Sequence, residues 1–135
     1  MDDPQRAVGA LLPLAVAAVE VADPFFNIRG DGWNLAVNSD FVLRFSDGRV
    51  IDGEMSEPEL GAVRALEGAH LTGAVIARDL RDAVFTFGDL AVLEIVPDTD
   101  LDPWVFRAAG LPYVLVGTGP GGSERRTRTL MEEEG

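Results

Sequence analysis

The chain is 135 residues long, carries a formal net charge of −12 and contains no cysteine. One domain of that size buries a core without covalent staples, and the missing thiols exclude disulfides, thiolate nucleophiles and cysteine-ligated zinc. All eleven basic residues are arginine, so Schiff-base, P-loop and Ser-Lys chemistry is excluded too.

The acidity argues against nucleic acid as a ligand, because phosphate binding needs a cationic face. It suits a basic protein partner, which a negative field would steer into contact; acidity also serves solubility. Residues 7 to 19 are apolar but too short to span a membrane, and Pro13 interrupts them. Asp2 and Asp3 stand where a signal peptide would be basic. A cytoplasmic protein is the expectation.

Asp3-Pro4 is suited to start a helix, as N-cap and first helical residue, running to about Leu12 before Pro13. In residues 14 to 21 alanine favours helix, while Val16, Val19 and Val21 accept strand; strand is preferred. Asp23-Pro24 breaks the pattern, and Phe25-Phe26 follows. Arg29-Gly30-Asp31-Gly32 is a turn cluster, and its cell-adhesion tripeptide is read as part of that turn. Strands alternating with period two follow at residues 33 to 37 and 41 to 45, with a turn at Asn38-Ser39-Asp40 between them. Asp47-Gly48 leads into residues 49 to 52, completing what reads as a meander.

Ser56 and Pro58 predict a helix start, and Leu60, Val63 and Leu66 an amphipathic stripe ending near Gly68. Strand signals resume at residues 70 to 78. Residues 82 to 96 then place two apolar runs around Gly88-Asp89, a hairpin turn pair. In the second run Leu90, Val92 and Val96 alternate with Ala91, Leu93 and Ile95, so both faces are mostly apolar. Such a strand is expected in a curled sheet or one covered on both sides. An acidic loop, residues 98 to 102, leads to Trp104, and residues 112 to 116 form the last strand. From Gly117 onward the composition predicts an exit loop, and residues 123 to 135 a polar tail. The expected architecture is a single α+β domain over residues 1 to 122, mainly antiparallel, with about six to eight strands and one or two short helices.

Residues 66 to 122 resemble a family of small, mostly actinobacterial domains of unknown function, related to immunity proteins encoded beside polymorphic toxins. Leu66-Glu67-Gly68-Ala69-His70-Leu71, the strand Val84-Phe85-Thr86-Phe87-Gly88, Leu93-Glu94-Ile95, the acidic loop reaching Trp104, and Pro120-Gly121-Gly122 carry the likeness. It implies a mainly antiparallel sheet and a non-enzymatic binding role.

Chemical motifs are sparse. Gly117 to Gly122 fits G-x-G-x-x-G, yet only thirteen residues follow, too few for a dinucleotide fold. Asp98, Asp100 and Asp102 could aim oxygens at a cation, but Pro103 and Ala109 stand where a calcium loop needs glycine and glutamate. His70, the sole histidine, lacks a nucleophile signature near any serine and reads as a strand residue. No cofactor is implied. Asp98, Asp100, Asp102, Trp104, Trp33, Phe25 and Phe26 are the candidate partner-binding residues, because aromatics near turns serve as interface anchors; the alternative for the four aromatics is that they cap the ends of the sheet. The leading expectation is a small acidic binding protein of immunity or accessory type that occludes a partner protein. Its competitors are a metal-assisted carboxylate enzyme at the loop 98 to 102 and a structural homo-oligomer.

Overall fold

Period-two alternation dominates the chain, and each strand obeys it by turning one row of side chains inward. The computed structural model describes residues 4–22, 25–52, 61–99, 102–111 and 114–119. They form an α+β domain, mainly antiparallel. A short helix, α1 (Pro4–Gly9), is followed by β1 (Leu14–Ala15), β2 (Ala18–Ala22), β3 (Phe25–Gly30), β4 (Trp33–Val37), β5 (Asp40–Phe45) and β6 (Val50–Asp52). A 3-10 helix (Gly61–Leu66) then precedes β7 (His70–Leu71), β8 (Gly73–Ile76), β9 (Ala83–Phe87), β10 (Ala91–Val96), β11 (Trp104–Ala108) and β12 (Leu115–Val116). The described residues thus hold twelve strands, more than the six to eight expected, in part because the runs at 14 to 21 and 70 to 78 each divide into a two-residue strand and a longer one.

Sheet I runs β12-β11-β4-β3-β2, and sheet II runs β6-β5-β10-β9-β8; β1 and β7 pair separately. The two large sheets lie face to face. Phe26 of sheet I meets Phe41 of sheet II edge-on at 4.8 Å between ring centres. Phe85 of sheet II contacts both Trp104 and Phe106 of sheet I, at 6.1 and 6.4 Å. Leu35, Val37, Leu43, Phe87, Leu93 and Ile95 fill the space around these rings.

Residues 33 to 52 do not form the expected meander. β4 and β5 are consecutive but belong to opposite sheets. The corner between them is held by the loop after β10: Asn38 N–H donates to the Pro103 carbonyl at 2.8 Å, and Asn38 Nδ2 to that of Asp102 at 3.2 Å. The β10–β11 connection crosses between the same sheets, so the two crossings brace each other. Hairpins join β3 to β4 and β5 to β6, with Gly32 and Gly48 at φ of 78° and 100° supplying the left-handed turn residues. The β9–β10 loop spans Gly88, Asp89 and Leu90, one residue longer than Gly88-Asp89 suggests.

Of residues 14 to 21, for which strand is preferred, 14, 15 and 18 to 21 are strand, and Val16 and Ala17 form a break between β1 and β2. The chain leaves β7 and joins β3 through these two residues, whose N–H groups donate to Ala69 and Arg29 carbonyls. α1 lies along β8, where the Gln5 side chain accepts from Ile76 N–H at 3.0 Å and occupies part of an otherwise open sheet edge. Val63 and Leu66 are buried one 3-10 turn apart; the predicted start at Ser56 and Pro58 lies outside the described residues. No described helix is long and apolar enough to cross a membrane.

Gly117, Thr118 and Gly119 are buried and extend the core beyond Val116, which corrects the exit-loop expectation for these three. A methyl group at Gly117 would run into the Trp104 indole, so glycine there permits ring packing rather than phosphate approach. Thr118 Oγ1 donates to the Asp79 carbonyl, and Thr118 N–H to that of Leu80. From residue 120 the tail expectation lies outside the described residues.

Trp104 has no exposed surface and contacts the central Phe85. Trp104→Ala should therefore cost about 3–5 kcal/mol in urea titration, and a cost below ~1 kcal/mol would show that the ring is not a core element. A smaller effect is expected at the β5–β6 turn. The Arg49 backbone N–H, 3.0 Å from the Asp47 carboxylate, and then the Arg49 side chain hold that carboxyl below its ordinary value of 3.8. A lowered folded pKa stabilises above the unfolded value and loses that contribution as pH falls through the folded one. The stability difference between wild type and Asp47→Asn should hold constant near neutrality and shrink below pH 3.8, read from urea midpoints across pH.

Candidate partner-binding face

Pairing register fixes what each sheet shows to the outside. In sheet II one row runs Val75, Val84, Glu94, Val42 and Asp52 across β8, β9, β10, β5 and β6. Its neighbour runs Gly73, Thr86, Val92, Arg44 and Val50. Val96 opposes Asp40 at one end. Six valines thus occupy a face that, in an antiparallel sheet backed by a core, is normally polar. Val75, Val50 and Val92 are 61%, 45% and 37% exposed, while Val42, Val84 and Val96 are half-buried.

Charge frames this face unevenly. The two rows and their rim carry Asp40, Asp52, Glu94 and Asp98, and they also carry Arg44, which pairs with Glu94 at 3.1 Å. Asp98 accepts from Asp40 N–H at 3.3 Å, which draws the loop after β10 onto the corner leading into β5. Asp102 lies at the same corner with a positive φ of 51°, its carbonyl bound by Asn38. Asp100 lies outside the described residues. Among the described residues no three histidine, aspartate or glutamate side chains gather closely enough to hold a metal ion.

The aromatic candidates separate sharply. Trp104, Trp33 and Phe26 are buried, so they are interior residues and not the exposed anchors expected from their nearness to turns. The physical reason is that each falls on the inward parity of its strand. Trp33 spends its indole N–H on the Ala15 carbonyl at 2.9 Å. Phe25, one residue before Phe26, faces outward and is 40% exposed. It lies on the outside of sheet I, opposite the valine face. His70 is exposed and paired in register with Ala15. The Arg29-Gly30-Asp31 tripeptide occupies the β3–β4 hairpin.

By exposure, Val42, Val50, Val75, Val84, Val92, Val96 and Asp40 join the acidic loop as surface candidates, and the tryptophans belong to the interior. The signal for the valines was present in the two-sided apolar alternation of β10. Nothing in the alternation distinguishes a face covered by the chain itself from one left open. Comparison with protein-family models, curated proteins and solved structures finds no match for this chain.

If the face is open, Val75→Thr and Val92→Thr should each change stability by no more than ~0.5 kcal/mol in urea titration. Leu93→Ala, one residue along on the inward row, should cost about 2–5 kcal/mol. A loss above ~1 kcal/mol for Val92→Thr would mean that another part of the chain covers the face.

Proposed function

We propose that this chain is a small, acidic, non-enzymatic binding protein that seats the outer face of sheet II on a partner protein and occludes it, in the manner of a cytoplasmic immunity or accessory protein. The observation that carries the proposal is the exposed valine field inside an acidic frame. Apolar side chains on a well-ordered sheet bind with little loss of conformational entropy. The complementary surface is apolar at its centre and basic at its edge. The net charge of −12 would speed encounter with such a partner.

Self-association is less well supported by the same face. Two copies stacked through it would bring Asp40, Asp52 and Glu94 against their own kind, which like-charge repulsion opposes.

The test immobilises wild type and Val92→Arg and captures proteins from the native host at low and high salt, with circular dichroism as the folding control. Wild type should retain a basic protein, less of it as salt screens the frame. Val92→Arg should weaken that complex by at least about tenfold, because it buries an unmatched charge at the centre of contact. For an immunity protein the retained partner is a toxin whose activity the complex suppresses. Identical capture by both proteins would remove the interface from this face, and a wild-type dimer that Val92→Arg dissolves in light scattering would favour the homo-oligomer.

A further inference from the structure

The outer face of sheet I differs in chemistry from that of sheet II. One of its rows runs Ala18, Arg29, Asn34 and Arg107 across β2, β3, β4 and β11. Two guanidinium-bearing residues therefore flank one amide, with their Cα atoms two strands, or roughly 10 Å, apart. They line a hollow of about 410 Å³ together with Gly30, Gly32 and Trp33.

The amide is oriented. Asn34 Oδ1 accepts from Asn27 Nδ2 at 2.6 Å, so the acceptor end of the side chain is occupied. Its Nδ2 hydrogens have no acceptor among the described residues. The Arg107 guanidinium likewise has no carboxylate or carbonyl partner among them. Arg29 pairs with Glu20 at 2.9 Å, with both side chains more than half exposed. A surface pair of this kind is readily exchanged for another anion. Asp31, at the hairpin tip, and Glu20 are the acids nearest to the row in sequence and register. They limit the attraction of bulk anions and favour one that fits the donors.

From these donors we infer that the hollow binds a phosphate group. The donors lie on three adjacent strands, and three side chains spread over that span suit a group with several acceptor oxygens better than a two-oxygen carboxylate. Arginine forks suit phosphate oxygens, and a neutral amide between them adds directional hydrogen bonds without adding charge. Gly32 adds no side chain to the lining of the hollow. The site is independent of the valine face, which lies on the other sheet.

The test is an NMR titration of the full chain, following the Asn34 side-chain amide and the Arg107 Nε–H. Inorganic phosphate should give saturable shifts of both in the millimolar range, whereas acetate and chloride at equal ionic strength should not. Arg107→Ala, which removes an exposed side chain, should weaken binding by at least about tenfold. Arg107→Lys should restore only part of it, because a point charge lacks the fork. An acetylated, amidated phosphoserine that binds more tightly than inorganic phosphate marks the group as peptide-borne. Equal or weaker binding marks it as free phosphate. Non-saturating shifts, shifts equal with acetate, or unchanged affinity in folded Arg107→Ala would overturn the inference.

Discussion

Phe85 touching both Trp104 and Phe106 is the contact on which the two-sheet arrangement depends. It ties β9 of sheet II to β11 of sheet I, each one strand in from an edge. Gly117 is part of the same arrangement, since only a residue without a side chain fits beside the Trp104 indole. The Trp104 indole N–H reaches the Arg81 carbonyl at 3.4 Å, which links the ring to the loop between β8 and β9. That loop is anchored again by Thr118, and Leu80 enters the core from it with a φ of 63°. A positive φ in a leucine costs conformational energy, and burial of its side chain offsets that cost.

Because one interior takes the large side chains, the two outer faces are free to diverge. Sheet I shows an ordinary wet surface, with the Asn27–Asn34 pair and the Arg29–Glu20 ion pair. Sheet II shows valines with acids at their margin. β-Branched side chains are good strand formers whether or not they are covered, so they keep the sheet in shape while leaving apolar area available. The two faces point in opposite directions, and occupation of one leaves the other accessible.

Much of the fold was legible in the sequence because period-two alternation assigns inward residues almost one by one. Phe41, Leu43 and Phe45 share a face as expected, and most of residues 14 to 21 is strand despite the alanines, in two pieces. Sheet membership was not legible. β4 and β5 look like hairpin partners in sequence, yet they pair in opposite sheets, and the Asn38 backbone and side-chain bonds to residues 103 and 102 hold the corner between them. The candidate site was legible in charge but not in its aromatics. Proximity to a turn says little about exposure, whereas strand parity decides it, as neighbouring Phe25 and Phe26 show.

The pairing of β5 with β10 has a kinetic consequence. Arg44 and Glu94, bonded across that pair, are 50 residues apart in the chain. Sheet II therefore cannot close until its middle strand has been synthesised and has returned to a segment made much earlier. Closing so long a loop is entropically costly before any contact compensates it, and topologies of this kind fold slowly. Until then β5 and β6 wait as a hairpin with an open edge and apolar residues on both sides. During that interval the nascent chain is at its most prone to pair with the wrong strand, including one from another copy of itself.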